Sequence, residues 1–199
     1  MTWHRAPVQY SYPILSSEAD SDAVRHLAKS LDPDSVVVEI GSCLGGSAKL
    51  MMDSNNTIRK LYCLDEGWKT GLSTGLPMMD LLREPWQLDR YPTTYEFAKH
   101  YLSTDPRIQM IPCDSPYEVQ WWSEMVDMVY EDSSHNNPQL RDNLQFWYQW
   151  LKPGGLYAGH DYGPNYPEVL AEVNALAERT GGDLHVHGAV WWMLKPKDL

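Results

Sequence analysis

Short β-branched runs alternate with apolar positions spaced three and four apart along most of this chain. Val36-Val37-Val38-Glu39-Ile40 is the clearest strand, and Gly41-Ser42-Cys43-Leu44-Gly45-Gly46-Ser47 follows as a turn that opens a helix. Ahead of it, the segment through Leu15 has no period, and Ser16-Ser17-Glu18-Ala19-Asp20 reads as a helix start. Val24, Leu27, Ala28 and Leu31 then keep helical spacing until Asp32-Pro33-Asp34 stops them. Beyond the glycine turn, residues 48–52 continue a short helix, and 60–65 read as a strand ending in Asp65. Phe97, Ala98, Tyr101 and Leu102 mark a helix over 94–102, and 107–112 read as a strand that ends at Cys113-Asp114-Ser115. A helical turn is expected over 118–122, before a strand at 126–130 that runs into Glu131-Asp132. From Pro138, Leu140, Leu144, Trp147 and Leu151 share one helix face, and Lys152-Pro153-Gly154-Gly155 is expected to end that helix. Residues 156–159 form the next strand, ending at His160-Asp161. Pro167 suits the first turn of a helix carrying Leu170, Val173 and Ala177, which Gly181-Gly182 closes. Strands near 184–187 and 189–194, parted by Gly188, finish the chain.

This alternation predicts an α/β, Rossmann-like fold, with a doubly wound, mostly parallel sheet and one antiparallel strand at the end. The 199 residues are expected to form one domain, with an N-terminal arm and helix over 1–34. Residues 66–93, with Trp68, Gly71, Gly75, Pro77, Pro85 and Trp86, exceed an ordinary connection. Connections of that length are usually functional, so a lid or acceptor-site wall is expected, with Trp68 or Trp86 against the acceptor, and a plain surface excursion is the alternative.

Composition narrows the partners. A net charge of -11, with 16 basic residues scattered among 27 acidic ones, disfavours a nucleic-acid partner, because phosphate binding needs clustered cations. No apolar run approaches the roughly 20 residues that span a bilayer, and residues 1–7 lack the apolar core of a secretion signal. Cys43, Cys63 and Cys113 cannot complete a disulfide set and match no zinc spacing. A reduced, cytoplasmic protein without a membrane partner is the expectation, and a homo-oligomer is compatible with it.

In such sheets ligands bind beyond the carboxyl ends of the strands. The first five predicted strands end at Glu39, Asp65, Asp114, Asp132 and Asp161, which would ring one rim with carboxylates. A dinucleotide would need its second glycine where Cys43 stands, and Glu39 would oppose a pyrophosphate. S-adenosylmethionine suits the rim better, because its sulfonium and ammonium are attracted to carboxylates. Its own carboxylate can use the amides of the turn at Gly41 and Ser42 and the hydroxyl of Ser47. Asp65, 24 positions after Gly41, is placed for ribose hydroxyls, and Asp114 and Ser115 for the adenine edge.

Five segments together resemble class I S-adenosylmethionine-dependent methyltransferases. They are Glu39 to Ser47, Leu64-Asp65, Pro112 to Ser115, Val126 to Asp132, and Leu151 to Tyr162, within a resemblance spanning residues 24–195. The chain is most similar in look to small-molecule O-methyltransferases of the catechol and macrocin-like types. That resemblance implies a seven-stranded sheet with the last strand antiparallel, and methyl transfer to an oxygen of a small molecule. In the metal-dependent members, ligands for Mg or Mn come from the ends of the fourth and fifth strands, which matches Asp132, His160 and Asp161 here. The macrocin-like enzymes also place a basic histidine three residues after the first ligand, where this chain has His135, so His135 and Asp132 are the catalytic candidates. His160 departs from the resembled pattern, which has an acid there; an imidazole shifts metal preference from magnesium toward manganese, iron or zinc. His185 and His187 alternate in a strand and read as structural, while His4, His26 and His100 carry no signal. Two other readings stand beside methyl transfer: a non-catalytic cofactor-binding module and a nicotinamide-dependent oxidoreductase. The acceptor stays open between a catechol and a sugar diol.

Overall fold

Five parallel strands lie side by side before the chain doubles back on itself. The computed structural model describes residues 13–197; residues 1–12, with His4 and most of the N-terminal arm, lie outside the described residues. The strands are β1 (Val36–Ile40), β2 (Lys60–Asp65), β3 (Ile108–Pro112), β4 (Val126–Glu131), β5 (Leu151–Gly159), β6 (His185–His187) and β7 (Val190–Leu194). They form one sheet in the order β3-β2-β1-β4-β5-β7-β6. β7 runs antiparallel to β5, and β6 antiparallel to β7. The order reverses beside β1, which opens a crevice at the carboxyl ends of β1 and β4.

Helices α1 (Glu18–Ser30), α2 (Gly46–Ser54), α3 (Glu66–Thr70), α4 (Asp80–Trp86), α5 (Thr94–Leu102), α6 (Gln139–Trp150) and α7 (Pro167–Thr180) connect the strands. One core joins α1 and α2 to the sheet through Val24, Leu27, Met51 and Tyr130. The other joins α6 and α7 to its opposite face through Leu144, Trp147, Val173 and Trp191. Each fully buried side chain of this size contributes roughly 1.5–3 kcal/mol by leaving water. Ser17 caps α1 in a reciprocal box with Asp20.

The structure departs from the sequence pattern in two places. Residues 118–122 form turns rather than a helix. Glu118 folds back there to accept from the Asp114 amide (2.9 Å) and to pair with Lys69. Lys152 to Gly155 lie inside β5, which starts at the C-cap of α6, rather than in a loop ahead of it. The β4–β5 register shifts between Val126 and Met128 to take up the extra residues, and Gly154 N donates to Lys195 O (2.8 Å). Backbone pairing with the segment after β7 thus overrides the local turn preference.

The long connection over 66–93 is folded. It comprises α3, α4 and 3₁₀ turns at Pro77–Met79 and Leu88–Arg90, and Ser73 bridges Thr93. Met79, Leu82 and Leu88 make a small core of their own with Leu44 and Phe97. No helix among the described residues is long and apolar enough to cross a membrane.

Candidate active site

A cavity of about 840 Å³ opens at the carboxyl ends of the strands and reaches from the glycine turn to the loops after β4 and β5. Its floor is fixed by Gly41, whose φ is +90°. A Cβ at this position would come within 2.1 Å of the Asp132 carbonyl oxygen, so the turn after β1 sits directly against the end of β4. Glycine alone permits both the backbone angle and the approach.

Glu39 is fully buried behind this turn and accepts from the Ser42 and Ser47 hydroxyls, each at 2.5 Å. Burial pushes its carboxyl up, and the two hydroxyls partly offset this. The expected contact of Glu39 and Ser47 with a ligand therefore takes a different form. Glu39 holds the turn's two hydroxyls, and Ser42 and Ser47 are the residues that line the cavity. Cys43 also lines it, but burial pushes its thiol up to about 12, which leaves no nucleophilic thiolate.

Asp65 caps α3. One carboxylate oxygen accepts from Trp68 N (2.9 Å) and the other from Cys43 N (2.8 Å), which ties the end of β2 to the glycine turn. Burial raises its pKa against those amide bonds. Glu66, which the sequence pattern did not single out, is exposed and lines the cavity next to it. The signal was the doubling of acids at one strand end. Asp114 lies off the cavity and accepts from Gln139 Nε2 (2.7 Å), so Gln139 of α6 is the polar side chain presented at this end. Ser115 lines the cavity, but its hydroxyl is spent on Asn143 (2.7 Å) and Trp147 (2.9 Å).

At the opposite end, Asp132, His135 and Asp161 bring one donor atom each to within 4.8 Å of one another. His135 Nε2 lies 2.6 Å from Asp161 Oδ2, yet it is buried and finds no partner with hydrogen-bond alignment. His160 turns Nδ1 toward Asp161 Oδ1 (3.3 Å) and Asp132 Oδ1 (3.7 Å), and Nε2 toward Asp20 Oδ2 (3.4 Å). The donor set that converges thus contains His135 where the sequence reading placed His160. Asp161 adopts φ +59°, an uncommon angle for a non-glycine residue, and backbone outliers of this kind concentrate at functional sites.

The charges here are strongly coupled. Burial lifts Asp132 to about 7, although the His160 cation opposes this. Burial also acts to raise Asp161, but His135 and His160 outweigh it and bring Asp161 to about 2. His160 rises to about 11, because Asp132, Asp161 and Asp20 overcome its desolvation. The Asp161 carboxylate raises His135. Two carboxylate oxygens and one imidazole nitrogen, on a histidine whose buried Nε2 has no aligned hydrogen-bond partner, fit a divalent cation.

Asp20 also lines the cavity, although the sequence reading gave it only a place at the helix start. Besides the Ser17 cap it accepts from Ala189 N (2.7 Å), so α1, the β6–β7 turn and His160 meet at one carboxylate. The expected tryptophan wall is absent. Trp68 is buried and donates Nε1–H to Cys43 O (2.6 Å), and Trp86 packs on Tyr101 of α5. Leu72 and Met78 line the cavity instead, and the Tyr166 ring contacts His135 with centroids 4.4 Å apart at a tilt of 34°. His185 and His187 sit on the exposed strand β6, and His26 and His100 lie off the cavity.

The profile of a family described as a methyltransferase domain matches residues 38–162. None of the curated protein sequences matches the chain. Among solved structures, a provisionally assigned caffeoyl-CoA O-methyltransferase from Staphylococcus aureus is similar at a TM-score of 0.64 and 14% identity, covering 92% of this chain and 86% of that one. The N-methyltransferase NodS from Bradyrhizobium japonicum is similar at a TM-score of 0.58 and 12% identity, with coverages of 89% and 94%. Spermidine synthase from Thermotoga maritima is similar at 0.60 and 16%, covering 90% of this chain and 60% of that one. At such identities the likeness establishes the fold, and it extends over enzymes that differ in the group they transfer and the atom that receives it.

Proposed function

The chain belongs to the methyltransferase-domain family, and on that premise we propose that it transfers a methyl group from S-adenosylmethionine to an oxygen of a small-molecule acceptor. The observation that carries this reading is the convergence of Asp132, His135 and Asp161 at one end of a cavity whose other end is a glycine turn with polar loops. About 840 Å³ accommodates the cofactor with a small acceptor beside it.

S-adenosylmethionine supplies a methyl group activated on a sulfonium. The first-turn amides of α2 receive its carboxylate, because the Gly41 and Ser42 amides already donate to Leu64 O. Asp65 and Glu66 take its ribose hydroxyls, and the Cys113–Ser115 loop with Gln139 faces its adenine. His135 receives the acceptor's hydroxyl proton at the ring nitrogen that does not face Asp161, and Asp161, 2.6 Å from Nε2, orients the imidazole and stabilises its charged form. Tyr166, whose tilted ring lies against His135, limits rotation of that ring.

A metal-assisted form of the same reaction is favoured by the donor set. Asp132, His135 and Asp161 would hold a divalent ion, which supplies Lewis acidity that lowers the acceptor's pKa. Transfer of labelled methyl from S-adenosylmethionine to catechols and sugar diols, assayed before and after chelation and with magnesium or manganese restored, tests both forms. Transfer that survives chelation removes the metal. Calorimetric binding of a nicotinamide dinucleotide but not of S-adenosylhomocysteine would remove methyl transfer itself.

A further inference from the structure

One buried hydrogen-bond chain crosses the back of the cavity, and the proposed reaction has no use for it as such. It starts at Trp147, whose indole N–H can only donate and does so to Ser115 Oγ (2.9 Å). The Ser115 hydroxyl hydrogen must then point onward, to Asn143 Oδ1 (2.7 Å). That contact fixes which end of the amide is oxygen, and Asn143 Nδ2 donates to Ser133 Oγ (3.2 Å). The Ser133 hydroxyl in turn donates to Glu131 Oε1, a carboxylate oxygen that also accepts from Ser133 N (3.1 Å). Every link runs in one direction, from a group that only donates to one that only accepts when ionised.

The chain joins two loops that do different work. Ser115 follows β3 in the loop assigned to adenine, and Ser133 lies between Asp132 and His135 in the loop assigned to the reaction. Both line the cavity, whereas Asn143 is fully buried and does not. Asn143 and Trp147 stand four positions apart on one face of α6, so a single rigid helix presents the whole connection. An amide is the side chain that can accept from one serine and donate to the other at this span. A buried network of this kind is stiff when complete and costly when one link fails.

We propose that Asn143 is a positioning residue that couples the adenine end of the cavity to the His135 loop, so that filling the first sets the geometry of the second. This rests on the cofactor orientation given under the proposed function. Two near-isosteric substitutions separate its links. Asn143→Asp keeps an acceptor for Ser115 but turns a second acceptor toward Ser133, whereas Asn143→Leu removes both contacts.

Adenosine is a suitable probe because it can occupy the adenine end without reaching His135. The readout is the His135 imidazole resonance in histidine-labelled full-length protein, assigned with His135→Gln, followed during adenosine titration. Wild-type protein is expected to shift this resonance on binding. Asn143→Asp is expected to bind adenosine within about twofold of wild type but to lose the shift, and Asn143→Leu to bind at least tenfold more weakly. Thermal unfolding of both variants reports folding separately, and a purely structural Asn143 would lower the midpoint without dividing binding from the shift. A shift that persists in Asn143→Asp, or binding to wild type without any shift, overturns the coupling. Failure of wild-type protein to bind adenosine or S-adenosylhomocysteine overturns the cofactor assignment, and the coupling falls with it.

Discussion

His135 Nε2 and Asp161 Oδ2 stand 2.6 Å apart, and this contact joins the loop after β4 to the loop after β5. The carboxylate raises the imidazole's pKa, so the neutral, proton-accepting form of His135 appears at higher pH than in an isolated histidine. Asp161→Asn removes that support. Activity that rises with pH through the His135 titration should then begin its rise at lower pH, with its plateau reduced about 10–100-fold. A pH profile of kcat/KM for both proteins checks the direction as well as the size.

Gly41→Ala should be among the most damaging single changes. The new methyl would meet the Asp132 carbonyl at 2.1 Å and would have to adopt φ +90°. A loss of at least about 2 kcal/mol in unfolding free energy is expected from the strain alone. Urea unfolding measures it, and calorimetry with S-adenosylhomocysteine should show cofactor binding lost in whatever remains folded.

Glu39→Ala tests the turn from beneath. It strips the Ser42 and Ser47 hydroxyls of their buried acceptor, and leaving the buried Ser42 hydroxyl unpaired costs about 1–3 kcal/mol. The cofactor dissociation constant should rise at least tenfold. Glu39→Gln, which retains an acceptor oxygen and the volume, should sit between this variant and wild type.

Glu131 gives the protein a pH-dependent stability of definite sign. Burial raises its carboxyl from 4.5 to about 8, so the folded protein binds this proton more tightly than the unfolded chain does. Stability should therefore fall as pH rises from about 4.5 to about 8 and level off above that. Asp132, raised from 3.8 to about 7, adds to the same trend. Asp161 acts oppositely: its contribution is present above 3.8 and is lost as pH falls toward about 2. Thermal unfolding across this range should show a shallower decline on the alkaline side for Glu131→Gln than for wild type.

The strand ends were legible in the sequence because a β-branched run terminated by an acid is a local pattern. Glu39, Asp65, Asp132 and Asp161 each stand at or beside the strand end expected of them, and the terminal antiparallel pair formed at Gly188. What the sequence withheld depends on distance along the chain. Asp20 reaches the site because Ala189, 169 positions away, donates to it. Whether His135 or His160 would complete the donor set depended on the turn at Asp161, whose positive φ no local pattern announces. Trp68 and Trp86 looked like acceptor walls because composition marks an aromatic residue without saying which way it faces. Asn143 gave no signal at all, since a lone asparagine on an amphipathic helix reads as surface until its partners are known.

The crystal structure of the complex with S-adenosylhomocysteine tests the central claim most directly. The account expects the adenine beside Cys113–Ser115, the ribose at Asp65 and Glu66, and the sulfur facing Asp132, His135 and Asp161. A cofactor bound in the reverse sense, or with its sulfur turned away from those three residues, would contradict it.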